Sequence, residues 1–260
     1  MKLGLEGRRA IVTGGSKGIG RAVAFELAAE GAVVAICARN SDEVQEAVAA
    51  LCEQGAKAYG WAADVTSPAD VERFVTDAAG ALGGLDILVN NAGGAHPGNF
   101  ESLSDEDWQG DLDVKLFSQI RCTRAALAYL RESVAARIIN INAVYAKYPD
   151  PAFFATTVNR AACLNLTKAL AQEFGPEKIL VNSVNIGFVV TPQWDNIRRR
   201  RAPEASEDEF FAGLVKGEVP LGRFGVVEEV APLVAFLASD RASYITGSMI
   251  DVAGGMGKYV

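Results

Sequence analysis

The stretch Thr13-Gly14-Gly15-Ser16-Lys17-Gly18-Ile19-Gly20 decides how this chain folds. It follows a short apolar run, Arg9–Thr13, and opens an amphipathic stretch, Gly18–Glu30, that Gly31 ends. Gly14, Gly18 and Gly20 stand at GxxxGxG spacing. A tight strand-to-helix turn needs positive φ, which glycine reaches at little cost. A backbone without Cβ atoms lets a pyrophosphate approach closely. The helix N-terminus beyond it offers free N–H groups and the positive end of a dipole. A glycine motif alone carries little. One that follows a strand, opens a helix and begins a βαβ series reads as a dinucleotide cradle made of Gly14, Ser16, Lys17, Gly18, Ile19 and Gly20.

Outward from the cradle, short β-rich runs alternate with longer amphipathic stretches. Strands are expected at Ala32–Ala38, Lys57–Ala63, Asp86–Val89, Arg137–Asn142, Ile179–Asn185 and Ser248–Val252. Helices are expected at Asp42–Gln54, Pro68–Leu82, Asp105–Leu130, Pro151–Phe174 and Val227–Ala238, with Ser67 capping the second of these. Strands apolar on both faces belong in a buried parallel sheet. The expectation is an α/β, single-domain Rossmann fold: a doubly wound parallel sheet of about seven strands with helices on both faces, spanning 1–260. The one compositional break carries Arg198–Arg201 and then the acidic stretch Glu204 to Glu209. A substrate lid is expected there, over 193–217.

Composition bounds the function. The chain has 260 residues, half of them hydrophobic, and a net charge of −7, which argues against nucleic acid as a partner. Cys37, Cys52, Cys122 and Cys163 form no CxxC pair, and His96 is the sole histidine, so neither a metal site nor a disulfide framework is expected. Met1 to Arg9 lacks an apolar h-region, and no apolar run is long enough to span a membrane. A cytoplasmic protein is expected.

Strand two ends in Arg39, where an acidic residue would bind the ribose hydroxyls of NAD. Arg39 offers a guanidinium to a 2′-phosphate, and Lys17 adds a second cation, so NADP(H) is favoured over NAD(H). Asp64 and Val65 fall where an adenine edge would lie. Asn91, Ala92 and Gly93 put a small, close backbone beside the cofactor.

These pieces in this order resemble the short-chain dehydrogenase/reductase family: TGGSKGIG at 13–20, DV at 64–65, NNAG at 90–93, YITG at 244–247 and IDVAGG at 250–255. The resemblance covers nearly the whole chain. It implies a seven-stranded parallel sheet, a homo-oligomer (dimer or tetramer) built on the helices at 105–130 and 152–174, and hydride transfer between NAD(P)(H) and an alcohol or carbonyl. It also implies cofactor contacts from Gly187 and Val189. That chemistry uses a Tyr acid, a Lys one helical turn later, a Ser after strand five and an Asn in the fourth helix. Here the matching positions hold Thr156, Arg160, Ala143 and Lys115. Threonine has a hydroxyl pKa far above the phenol's ~10 and is a poor acid near neutral pH. Arg160 could still hold ribose hydroxyls, but it cannot shuttle a proton.

Three readings remain open. A divergent NADPH-dependent reductase of a conjugated or aromatic ketone or enone could draw on Tyr145, Tyr148, Lys115, Lys147 and Arg160, with enoyl reductases as a family precedent. Each also has a reading outside catalysis: Tyr145 as a wall of an aromatic pocket, Lys147 as a solvated charge, and Lys115 as the partner of Asp113 or Asp111 or a subunit-interface residue. A pseudoenzyme could keep the cradle as a sensor or as the partner of a related subunit. A non-redox enzyme on the same fold is the third, and the intact cradle argues against it. Phe153, Phe154, Phe188 and Trp194 suggest an apolar or aromatic small-molecule substrate. His96 reads as a surface-loop residue. The arginine run reads either as an anion grip or as a lid face paired with the acids that follow it.

Overall fold

The computed structural model describes residues 2–257. Its centre is one seven-stranded parallel sheet in the order β3-β2-β1-β4-β5-β6-β7. The strands are β1 Arg9–Thr13, β2 Val33–Ala38, β3 Ala58–Ala62, β4 Ile87–Asn90, β5 Arg137–Ala143, β6 Leu180–Ile186 and β7 Met249–Val252. Side-chain alternation decides which layer each residue joins. Ala10 and Val12 of β1 pack toward α1 (Gly18–Ala29), α2 (Ser41–Glu53) and α9 (Ala231–Ala238). Ile11 between them faces α3 (Pro68–Leu82), α5 (Ser118–Arg131) and α6 (Phe154–Phe174).

The chain starts at β1, builds outward to β3, then returns past β1 to β4. The sheet's switch point therefore lies between the C-terminal ends of β1 and β4, where a doubly wound fold opens a crevice. At the opposite end, Asp86 clasps Arg9. Its carboxylate accepts from the Arg9 backbone N–H at 2.9 Å, from Nε and Nη2 at 2.8 Å each, and from the Ser133 hydroxyl at 2.5 Å.

The expected helix Asp105–Leu130 is interrupted. α4 (Asp105–Leu112) passes into a π-helical turn, Asp113–Phe117, before α5 begins. Such turns cluster at functional sites, and this one carries Lys115 into the interior. The expected helix at Pro151 begins only at Phe154, because Pro151 lies in the preceding turn. The 193–217 segment is two helices, α7 (Pro192–Arg201) and α8 (Glu207–Val215), the second capped by Ser206. No helix among the described residues is long and apolar enough to cross a membrane.

Candidate functional site

The crevice is a cavity of about 1110 Å³ running from the cradle, past the C-terminal ends of β4 and β5, to α7. Gly14 and Gly18 adopt φ of +66° and +54°. A Cβ on Gly20 would lie 2.2 Å from the Gly14 carbonyl oxygen and 2.3 Å from Asn91 Nδ2, so only glycine fits the approach of α1 to the turn. Asn91 fastens the two sides of the switch point. Its Nδ2 donates to the carbonyls of Thr13 at 2.9 Å and Gly14 at 3.2 Å. Thr13 Oγ1 accepts from the backbone N–H groups of Asn91 and Ala92, each at 3.0 Å. The cradle is thus a fixed turn aimed at a helix N-terminus, which suits a dinucleotide phosphate.

Ser16, Ile19, Arg39, Asp64, Val65, Ala92, Gly93, Gly187 and Val189 all line this cavity. Arg39 is exposed at the end of β2. Lys17 lines the cavity as well, and its half-exposed side chain places Nζ 2.7 Å from Glu43 at the start of α2. Asp64 is also engaged locally, accepting from the Thr66 N–H at 2.9 Å and hydroxyl at 2.7 Å.

Beyond the cradle lie Lys115, Ala143, Thr156 and Arg160, all on the cavity wall. Lys115 and Asp111 form a buried ion pair one turn apart, and Asp111, not Asp113, is the partner. Asp113 instead holds Arg121 at 2.8 Å. Asp111 also accepts from Thr156 Oγ1 at 3.2 Å and Asn159 Nδ2 at 2.8 Å. Burial and then the nearby Arg160 guanidinium lower the Lys115 pKa to about 8 against the pull of Asp111. Arg160 donates from Nη1 to the Ile141 carbonyl at 2.9 Å, and its buried Nε has no hydrogen-bond partner among the described residues. Burial pushes its pKa down.

The outer half of the cavity is aromatic. Tyr145 stacks on Phe153 at 5.4 Å and meets Phe188 edge-on at 6.4 Å, while Trp194 stands edge-on to Phe188 at 5.1 Å. Burial and Asp150, its hydrogen-bond partner, raise the Tyr145 pKa. Phe154 is not part of this wall. It starts α6 on the other side, against Phe100 and Trp108. Lys147 also leaves the cavity and lies 3.0 Å from Asp251. Tyr148 hydrogen-bonds Glu218 at 3.4 Å.

Three features escaped the sequence reading. His96 has a carboxylate after all, Asp107, 3.2 Å from Nε2 across the loop, and it lies on the cavity lining. Gln193 Oε1 accepts from the Ala95 N–H at 3.0 Å, tying α7 to the loop after β4. Asn159 joins the Asp111 network, a role that its i+3 spacing from Thr156 on α6 could have signalled.

A family model described as enoyl-(acyl carrier protein) reductase matches residues 14–257. The 3-oxoacyl-(acyl-carrier-protein) reductase FabG of Aquifex aeolicus (strain VF5) is 34% identical over 257 residues, covering 98% of this chain and 100% of the relative. The chain belongs to the short-chain dehydrogenase/reductase family. As a member it is an oxidoreductase of short-chain type, and the TGGSKGIG and NNAG segments that carried the resemblance are the ones that meet at the switch point. Among solved structures, L-sorbose reductase from Gluconobacter frateurii, complexed with NADPH and L-sorbose, is similar with a TM-score of 0.96 and 33% identity, covering 100% of both chains. An NADPH-bound short chain oxidoreductase from Pseudomonas aeruginosa PAO1, described as containing an atypical catalytic center, is similar with a TM-score of 0.90 and 38% identity, covering 96% of this chain and 97% of that one.

Proposed function

We propose that this short-chain dehydrogenase/reductase is an NADP(H)-dependent reductase of a conjugated or aromatic ketone or enone, working without a tyrosine acid. The observation that carries this reading is Lys115: a buried ammonium, held by Asp111, on the wall of the cavity that begins at the phosphate cradle.

In this reading Gly14 to Gly20 hold the pyrophosphate, and Arg39 takes the 2′-phosphate. Asp64 and Val65 flank the adenine. Asn91 to Gly93, Gly187 and Val189 bound the inner cofactor wall, and Arg160 holds ribose hydroxyls through its guanidinium. NADPH bound there would supply the hydride. Two of the solved relatives, described as NADPH-bound or NADPH-complexed, support the choice of cofactor.

Charge that develops on a carbonyl or enolate oxygen needs a cation or donor in a water-poor site. Lys115 and Arg160 give two cations on one wall. Lys115, with a pKa of about 8, is charged at neutral pH and acidic enough to release a proton. Arg160 keeps its proton and acts as charge alone. Tyr145 is the weaker acid, because its hydroxyl engages Asp150 and burial raises its pKa. It shapes the aromatic wall and can donate a hydrogen bond. α7 and α8 are the lid over the substrate half. Exposed Phe117 and Val158, on the two long helical segments, suit a homo-oligomer or a related subunit.

The test is NADPH binding followed by fluorescence, then loss of reduced-nicotinamide absorbance with a panel of enones, quinones and aryl ketones. Turnover on any member is the expected result. Tight binding with no turnover across the panel would leave the sensor or partner-subunit reading in its place.

A further inference from the structure

The four arginines of α7 are not one charged face. Around the helix, Asp195, Arg198 and Arg199 share one side, while Trp194, Ile197 and Arg201 share another, with Arg200 beside Ile197. Arg198 and Arg199 are both spent on Asp195, at 2.8 and 2.7 Å. Arg200 and Arg201 line the cavity instead, and neither has a carboxylate partner among the described residues. The acids of the following segment do not reach them: Glu209 turns back to cap Ser206, accepting at 3.0 and 2.8 Å.

Arg201 has a defined seat. Its guanidinium carbon is 5.6 Å from the Phe153 ring centroid, and Phe153 in turn stacks on Tyr145 at 5.4 Å and meets Trp194 at 6.4 Å. Stacking on one face leaves the N–H edge of a guanidinium free to grip a planar anion in a two-point contact. The carboxylates on the cavity lining are Glu43, Asp64 and Asp111. The first two stand at the cradle end, and Asp111 is held by Lys115. The helix dipole accounts for basic residues at the end of α7, but it does not account for two of them facing an aromatic chamber.

We infer that Arg200 and Arg201 form an anion subsite at the cavity mouth, which takes a carboxylate on the far end of an aromatic or conjugated carbonyl substrate. This rests on the reading of the chamber as a substrate pocket. The substrate class is then an aryl or conjugated oxo-acid: its carbonyl toward Lys115, its apolar middle against Phe153, Tyr145 and Trp194, its carboxylate under α7.

Calorimetric binding of 4-acetylbenzoate, whose ring separates the ketone from the carboxylate, and of its neutral carboxamide, to the protein alone and with NADP⁺, tests this. The wild type should bind the carboxylate roughly tenfold or more tightly than the amide, the scale of a charge-assisted contact. That preference should shrink with added salt, vanish in Arg200→Gln/Arg201→Gln and survive in Arg199→Gln. Equal affinities in the wild type overturn the subsite. So does a preference that persists in the double variant, or a double variant whose chief loss is NADP⁺ affinity. Carboxylate preference without turnover on the reductase panel keeps the subsite and removes the reductase reading. Reduction of the amide without any carboxylate preference does the reverse.

Discussion

Lys115 and Asp111 face each other inside the protein, with side chains 1% and 0% exposed, at the junction where α4 gives way to a π-helical turn. A buried pair is costly to break from one side. Lys115→Met leaves the Asp111 carboxylate with the Thr156 and Asn159 donors but no counter-ion, and should cost about 3–5 kcal/mol in denaturant unfolding. Asp111→Asn/Lys115→Met should recover most of that stability without recovering turnover. Stability and turnover returning together would make the pair purely structural.

The same lysine sets a pH dependence. If its ammonium is the proton donor, the acid form is required, so the rate falls as pH rises through about 8. Asp111, Arg160 and Cys163 are the charged or titratable groups that act on it, and Asp111 resists the loss of its proton. A pH profile of kcat with saturating NADPH reads this directly. A rate that stays flat from pH 7 to well above that value would exclude Lys115 as the acid.

The cradle admits a sharp test at Gly20. Gly20→Ala places a methyl group 2.2 Å from the Gly14 carbonyl oxygen, so the turn must open. NADPH affinity should fall at least roughly tenfold, with about 1–3 kcal/mol lost from folding stability, the usual scale of overpacking. Gly80→Ala in α3, where an added Cβ meets nothing within 4 Å, is the control and should leave affinity unchanged.

Cofactor choice is read at Arg39. Arg39→Asp should weaken NADPH by roughly tenfold or more, the scale of a charge-assisted contact to phosphate, and NADH far less. Because Glu43 holds Lys17 at 2.7 Å, Glu43→Gln should free that cation and tighten NADPH modestly. Equal losses for NADPH and NADH in Arg39→Asp would remove the 2′-phosphate assignment.

At the far end of the sheet, Asp86 should govern acid stability. The Arg9 and Ser133 hydrogen bonds outweigh burial and lower its pKa to about 2. A carboxylate depressed in the folded state stabilises above its unfolded pKa, and that stability is lost as pH falls toward the folded value. Asp86→Asn should therefore cost about 2 kcal/mol at neutral pH, and the gap from wild type should close as pH falls from about 4 to about 2. A pH-independent difference would mean that the charge plays no part.

The sequence by itself determined the sheet, the cradle and the family. Strand and helix periods, glycine spacing and caps are local properties, written in consecutive residues, and Thr13 to Gly20 needs no distant partner to be read. The cradle end of the cavity was legible for the same reason: the segments after β1, β2, β3 and β4 that line it directly follow strands whose positions the pattern fixes.

What only the tertiary structure decided is which side chains are already committed. Lys17 looked free until α2 brought Glu43 to it, Phe154 looked like pocket wall until α6 turned it toward Trp108, and His96 had no carboxylate until the loop carried it to Asp107. Helix spacing alone favours Asp111, four residues before Lys115, over Asp113, two residues before it, but only packing shows that this pair is buried and that Arg198–Arg201 divide between Asp195 and the cavity. Charge pairing and burial are set by groups distant in sequence, so chain order names the candidates and packing chooses among them.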